Sequence, residues 1–264
     1  MARLGLAARC AALLEYPGAS ETSIDSAEAT IQRWQLIRDK TFLRRIYEEW
    51  YLHVASAIPT TAKPVLELGS GAGFMSEYVE GLITSDILEL PEVSRVVDAC
   101  AGLPFETASL RGIAMVNTLH HLPDAEAFFD EASRCLESGG TISMIEPWNT
   151  SWSRFVYSRL HHEPFEPDVV SWGFESSGPL SSANGALPWI VFARDRTRFE
   201  QRFPDLEIRR VEPIMPVRYL LSGGVSMRSL VPTWSFAPLR AVERASRSLT
   251  GSTAMFAHVA VARR

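Results

Sequence analysis

The side chains of this 264-residue chain that could do chemistry gather in a few short stretches. The first is P-V-L-E-L-G-S-G-A-G-F at Pro64 to Phe74, where Glu67 stands two residues before Gly69, and Gly71 and Gly73 follow at alternate positions. Val65, Leu66 and Leu68 read as a buried parallel strand that runs straight into a glycine-rich turn. Such a turn lets a ligand approach the backbone more closely than any Cβ would allow. A helix opening over Phe74 to Glu80 would aim its N-terminal amides at that ligand. Burying the Glu67 carboxylate is costly unless a cation or hydrogen-bond donors meet it. A nucleotide-type ligand carrying an α-ammonium group supplies the cation, whereas a dinucleotide pyrophosphate is repelled. The spacing agrees, because G-x-G-x-x-G would require glycine where Phe74 stands.

The other candidates are imidazoles and carboxylates. His120 and His121, in N-T-L-H-H-L at Asn117 to Leu122, could take a proton from a hydroxyl or amine, or could simply shape a turn. Glu146 falls at a strand end. His161, His162 and Glu163 form a third group, one of which could face a bound molecule as base or orienter. The alternative is that these are polar loop residues satisfied by backbone. Adjacent histidines grip one ion poorly and no further ligand stands at zinc spacing, so no metal is expected.

Five ordered segments resemble the class I S-adenosylmethionine-dependent methyltransferases, in particular the type 11, ubiquinone-methyltransferase-like group. They are V-L-E-L-G-S-G-A-G, then I-T-S-D-I, V-V-D-A-C-A-G-L-P-F, N-T-L-H-H-L, and L-E-S-G-G-T-I-S-M-I-E-P, spread over Ala62 to Trp148, about a third of the chain. The resemblance implies S-adenosyl-L-methionine as cofactor, its methionine end held by Glu67, Gly69, Ser70, Gly71 and Gly73. It also implies Asp86 at the ribose hydroxyls, Asp98 near the adenine amino group and Asn117 against the cofactor. The implied fold is α/β: a Rossmann-like, mainly parallel seven-stranded sheet with helices on both faces, its last strand antiparallel between the fifth and sixth. One departure is that I-L-E-L-P-E-V-S-R-V-V, between Asp86 and Asp98, is too short for the helix that usually joins those strands. Either that helix is reduced to a loop or one acid is misassigned.

Around these motifs the chain supplies the elements that must position them. Residues 1–60 read as an N-terminal helical extension and 61–264 as the methyltransferase domain. The start, M-A-R-L-G-L-A-A-R-C-A-A-L-L, reads as a short amphipathic helix, since Arg9 interrupts it too early for a signal peptide. From Ser26 to Ile58, Leu43, Ile46, Tyr47, Trp50, Val54 and Ala57 recur at helical spacing, a stripe that is core in the ordinary case. In the family such an extension packs near the active-site mouth, which makes Tyr47, Trp50 and Tyr51 candidates for touching substrate. Asp124 to Leu136 predicts a helix behind Pro123, ended by Gly139 and Gly140. Ser151 to Leu160 and Asp195 to Phe203 predict helices, Leu206 to Val211 a strand, Ala237 to Leu249 a helix and Ala254 to Ala262 the final strand. The stretch His161 to Phe192 is rich in glycine, proline, serine and aromatics, and reads as an ordered lid or wall over an acceptor site. Pro216 to Leu230 is expected to close the pocket from the other side.

Composition bounds the function. A net charge of −5 gives no basic face for nucleic acid. Cys10, Cys100 and Cys135 are odd in number and lack metal spacing, as in a reduced cytoplasmic protein. No stretch approaches a membrane span. The reading is therefore direct methyl transfer to a small, partly apolar acceptor, lipid-like or glycan-linked, with His121, His162 and Glu146 as candidate bases. The alternatives are a non-catalytic cofactor-binding protein of the same fold, acting as a regulator or partner, and a nicotinamide-dependent oxidoreductase.

Overall fold

The computed structural model describes residues 25–264 except 72, 161, 162 and 179. The helix expected over Met1 to Leu14 lies outside the described residues. The apolar stripe from Ser26 forms two helices, α1 (Ala27–Asp39) and α2 (Thr41–Ala57), broken at Lys40. The Ser26 hydroxyl caps α1 by accepting the Ala29 N–H. At the break Lys40 leaves helical geometry, and its ammonium donates to the carbonyls of Gly224 and Met227 at 2.6 and 2.7 Å.

Seven strands follow: β1 (Val65–Leu68), β2 (Leu82–Asp86), β3 (Arg95–Val96), β4 (Leu110–Val116), β5 (Leu136–Pro147), β6 (Leu206–Ile214) and β7 (Phe256–Arg263). Their order is β3-β2-β1-β4-β5-β7-β6, parallel through β5, with β7 antiparallel to both β5 and β6. The dinucleotide fold orders its strands 3-2-1-4-5-6, so the inserted antiparallel strand sets this sheet apart. Alternation along the strands feeds two cores. Leu66, Leu68, Ile113, Met115, Ile142 and Met144 point to one, and Val65, Ala114 and Ile145 to the other, beneath Ile46, Trp50 and Val54 of α2. Trp50 is fully buried and stacks on Tyr219, with ring centroids 5.5 Å apart.

The first core rests on α3 (Ala125–Cys135), whose N-cap Asp124 accepts the Ala127 N–H at 3.0 Å. Phe129 of α3 meets Phe192, Phe199 and Phe203 at 5.1–5.8 Å. Next come α4 (Ser151–Leu160), α5 (Arg196–Arg202), α6 (Arg218–Ser222) and α7 (Phe236–Ala245).

The structure departs from the sequence expectations in several places and decides one alternative that the sequence left open. Only a 3-10 turn, Met75–Glu77, follows the glycine loop where a helix was expected over Phe74 to Glu80. The glycine loop takes 5 of the 13 residues between β1 and β2, and those that remain are few for a stable helix. Between β2 and β3 the helix is reduced to a loop, as one of the two sequence readings allowed. Gly139 and Gly140 do not end α3, which stops at Cys135. They lie inside β5, where the pairing jumps from Leu110↔Leu136 to Gly112↔Thr141 and Gly139 takes φ of 81°. The last helix ends at Ala245 and is replaced to Leu249 by a 3-10 turn, Arg247–Leu249.

Candidate active site

The carboxyl ends of β1, β2 and β4 open onto one cavity of about 1980 Å³, roughly twice the upper size of common ligand pockets. Glu67, Gly69, Ser70, Gly71, Gly73, Asp86, Asp98 and Asn117, the residues expected to hold cofactor, all lie on its wall.

The loop between Gly69 and Gly73 is held by its own hydrogen bonds. Glu67 is buried at the end of β1 and accepts the Ser70 hydroxyl at 2.9 Å, while the Ser70 N–H donates to the Ser85 carbonyl at 2.8 Å. The Gly71 N–H donates to Asp86 Oδ2 at 2.8 Å, and the Leu88 N–H to Asp86 Oδ1 at 3.0 Å. A carboxylate has about four acceptor positions, so Asp86 keeps capacity for a ligand. Gly69 has φ of 66°, and a Cβ there would stand 2.5 Å from Thr118 Oγ1. A Cβ on Gly73 would meet the Tyr51 hydroxyl at 2.7 Å. Burial, with the nearby Asp86 charge, pushes the Glu67 carboxyl up to about 7, and burial raises Asp86 as well. A cation placed against Glu67 relieves that strain. Asn117 takes φ of 55°, and its buried Oδ1 has no hydrogen-bond partner among the described residues. An orphaned acceptor on a cavity wall fits a ligand that brings a donor. Asp98 Oδ1 accepts the Cys100 N–H at 2.9 Å, which orients its carboxylate.

Across the cavity the walls come from distant parts of the chain. Tyr47 and Tyr51 of α2, Tyr157 of α4, Phe165 and Tyr219 give an aromatic lining. Of the three aromatic candidates from α2, Tyr47 and Tyr51 reach the cavity, whereas Trp50 is core. Glu163, Pro164, Phe165, Ser176, Ser177, Gly178, Leu180 and Gly185 contribute one wall, and residues between Tyr219 and Leu230 contribute another. Other parts of the expected lid turn inward, while Val170 and Ser171 stay exposed. Trp172 and Ala186 to Phe192 are largely buried in the first core, and Trp172 Nε1 donates to Asp195 Oδ2 at 2.9 Å.

Of the candidate bases, His121 lies on the wall, His162 lies outside the described residues, and Glu146 is fully buried behind the wall. Glu146 Oε1 accepts the Thr118 and Leu119 N–H groups at 2.8 and 2.7 Å, and its Oε2 meets His120 Nδ1 at 2.7 Å. It therefore shapes the turn after β4 and stays off the cavity surface. His120 is buried on the wall. Burial opposes its charge, yet Glu146 and Glu163 push it up to about 9. His121, with its ring centroid 4.2 Å from that of His120, is held down to about 4 by burial and the His120 charge. His121 Nδ1 lies 3.2 Å from the Ser182 carbonyl. Sequence reasoning separated His120 and His121 from Glu163, which the fold brings to 3.7 Å from His120. No local spacing signals a pairing across forty residues.

Residues 66–144 match a family described as a methyltransferase domain. No curated protein sequence matches the chain. Among solved structures, the chain is similar to an S-adenosylmethionine-dependent methyltransferase of Thermotoga maritima described as a possible histamine N-methyltransferase. That likeness has 15% identity and a TM-score of 0.51, over 89% of this chain and 99% of that one. It is also similar to the geranyl diphosphate C-methyltransferase of Streptomyces coelicolor A3(2), crystallised with S-adenosyl-L-homocysteine. There the identity is 12% and the TM-score 0.48, over 96% of this chain and 88% of that one.

Proposed function

We propose that this chain, an S-adenosylmethionine-dependent methyltransferase of class I fold with a type 11 methyltransferase domain, methylates a small, partly apolar acceptor held against the aromatic walls opposite its glycine loop. One observation carries the reading. A single cavity joins the glycine loop, Glu67, Asp86 and Asn117 to a chamber lined by Tyr47, Tyr157, Phe165 and Tyr219, with room for two molecules of ordinary ligand size.

Bound S-adenosylmethionine would supply an already activated sulfonium methyl group. In this reading Glu67 meets the α-ammonium, the amides of the Gly69 to Gly73 loop meet the carboxylate, and Asp86 takes the ribose hydroxyls. Asp98 takes the adenine side, and Asn117 meets the cofactor from the end of β4. The aromatic walls align the acceptor atom behind the methyl group and exclude water. An acceptor hydroxyl or amine must also lose a proton, and the polar cluster at His120, His121 and Glu163 is where that proton would leave. The aromatic lining favours a lipid-like or glycan-linked small molecule. Cys100 and Cys135 are both free, in keeping with a reducing cytoplasmic compartment.

Calorimetric titration with S-adenosylhomocysteine and NAD side by side tests the cofactor half, with saturable heat expected from the first alone. Methyl-labelled S-adenosylmethionine incubated with extracts fractionated by polarity tests the acceptor half. Label is expected in a small organic-soluble product, and label found only in protein or nucleic acid overturns the reading.

A further inference from the structure

The cluster at the floor of the acceptor chamber has more order than a proton acceptor needs. One ring nitrogen of His120, one of His121 and a carboxylate oxygen of Glu163 lie within 4.8 Å of one another. Glu163 Oε2 stands 3.7 Å from His120 Nε2, too long for a hydrogen bond. Ligands of a tetrahedral ion at about 2.1 Å stand about 3.4 Å apart, so small rotamer adjustments close the cluster on one ion. Both imidazoles are already oriented from behind. His120 Nδ1 is tied to the buried Glu146 at 2.7 Å and His121 Nδ1 faces the Ser182 carbonyl at 3.2 Å. His120 thereby turns its Nε2 toward Glu163, the arrangement that fixes tautomer and aim in metal-binding histidines. Two histidines and one carboxylate leave coordination positions for another molecule, and all three side chains line the cavity.

Resting on the methyltransferase reading above, we propose that His120, His121 and Glu163 bind one divalent first-row ion of the Zn²⁺ or Mn²⁺ type, and that an acceptor hydroxyl oxygen completes its coordination. Sequence inspection expected no metal because adjacent histidines grip one ion poorly and no further ligand stood at zinc spacing, whereas the fold brings Glu163 to the His120 and His121 rings as a third ligand. The ion acts as a Lewis acid. The acceptor O–H bond breaks with its proton passing to cavity water, the oxygen electron pair forms the new O–CH₃ bond, and the S–CH₃ pair stays on sulfur. No oxidant or reductant is required.

The test uses the full-length purified chain, stripped with a chelator and titrated with Co²⁺ as a visible stand-in for Zn²⁺. One equivalent per chain with d–d absorption is expected. Glu163→Gln, a change on a partly exposed wall residue, is expected to weaken Co²⁺ by at least about 100-fold. Glu146→Gln, which never touches the ion, is expected to weaken it about 10–100-fold. A surface cation would feel neither change, so equal affinity in wild type and both variants overturns the proposal, as does the absence of d–d bands in wild type. S-adenosylhomocysteine calorimetry on the same samples separates the two readings. Saturable heat without a Co²⁺ band overturns the ion site alone, and a band lost in Glu163→Gln without that heat upholds the ion site while overturning the cofactor assignment.

Discussion

At the glycine-loop end of the cavity, the side chains proposed to hold cofactor sit at or just beyond strand termini: Glu67 on β1, Asp86 on β2, Asp98 after β3 and Asn117 after β4. At the proposed acceptor end, positions are set by polar clamps between segments far apart in the chain. Lys40 holds the carbonyls of Gly224 and Met227, Asp25 holds the amides of Leu180 and Ser181, and Arg218 joins α2, α6 and α7 through Glu49 and Glu243. The contrast separates two kinds of preorganisation. A ligand common to a whole fold can be held by backbone fixed in a sheet, whereas a particular acceptor needs walls that differ from one chain to the next. Those walls hang on few contacts, so damage to a clamp is expected to spread, and damage to the loop to stay local.

The largest effect is expected at Arg218. It is buried and bidentate to Glu49, with both bonds at 2.9 Å, and it also pairs with Glu243. Among the described residues, Arg218→Ala leaves Glu49 with Arg240 alone and Glu243 with only backbone N–H donors, and is expected to lose about 3–5 kcal/mol in urea unfolding. The fraction that remains folded is expected to bind S-adenosylhomocysteine as wild type does. A loss below about 1 kcal/mol, the scale of a surface pair, would break the comparison by showing that this clamp does not hold the acceptor end.

Gly69→Ala probes the opposite end. The new Cβ meets Thr118 Oγ1 at 2.5 Å and Cγ2 at 2.8 Å, and Thr118 is held by a bond to the Leu68 carbonyl at 3.1 Å. Calorimetry is expected to show S-adenosylhomocysteine binding reduced at least about 100-fold, with about 1–2 kcal/mol of stability lost to the left-handed backbone. Restored binding in Gly69→Ala/Thr118→Gly would show that the clash, not the backbone angle, carries the effect.

Glu67 adds a pH signature. Its folded carboxyl sits near 7 against an ordinary 4.5, so between those values the unfolded chain has released a proton that the folded chain keeps. Its contribution to stability therefore falls as pH rises through that window and levels off above 7, an effect of about 3 kcal/mol in the ligand-free protein. Ligand affinity runs the opposite way, since the ammonium needs the ionised form. Glu67→Gln is expected to flatten the pH profile of urea unfolding and to weaken S-adenosylhomocysteine about 10–100-fold at pH 8.

The same division decides what could be read in the sequence. Glu67, the glycines and Asp86 are legible because an apolar run followed by glycines marks a strand end, and strand ends of a parallel sheet share one edge. The turn after β4 was legible as a motif but not in its chemistry. Only the fold reveals that Glu146 faces inward to hold His120, and that Trp172 leaves the expected lid for the core. The helix expected after the glycine loop from its amides alone is reduced to a 3-10 turn, because few residues are left before Gly81. The clamps left no trace at all. Lys40 and Gly224, or Asp25 and Leu180, have no periodicity to connect them, and contacts of that separation follow from topology alone.

The smallest effect is expected at Asp25, whose Oδ1 accepts the Leu180 and Ser181 N–H groups at 2.7 and 2.8 Å near the protein surface. Asp25→Ala is expected to cost about 1 kcal/mol locally, read as roughly fivefold faster hydrogen exchange at those two amides. The Gly71 amide, bonded to Asp86 across the cavity, is expected to keep its protection. If Gly71 exchanges faster as well, the two ends move together and the separation between sheet-borne loop and clamped wall fails. If only Leu180 and Ser181 respond, the wall can loosen to admit an acceptor while the loop keeps its grip on the cofactor. That order of events would let one fold accept different substrates without rebuilding its first strand.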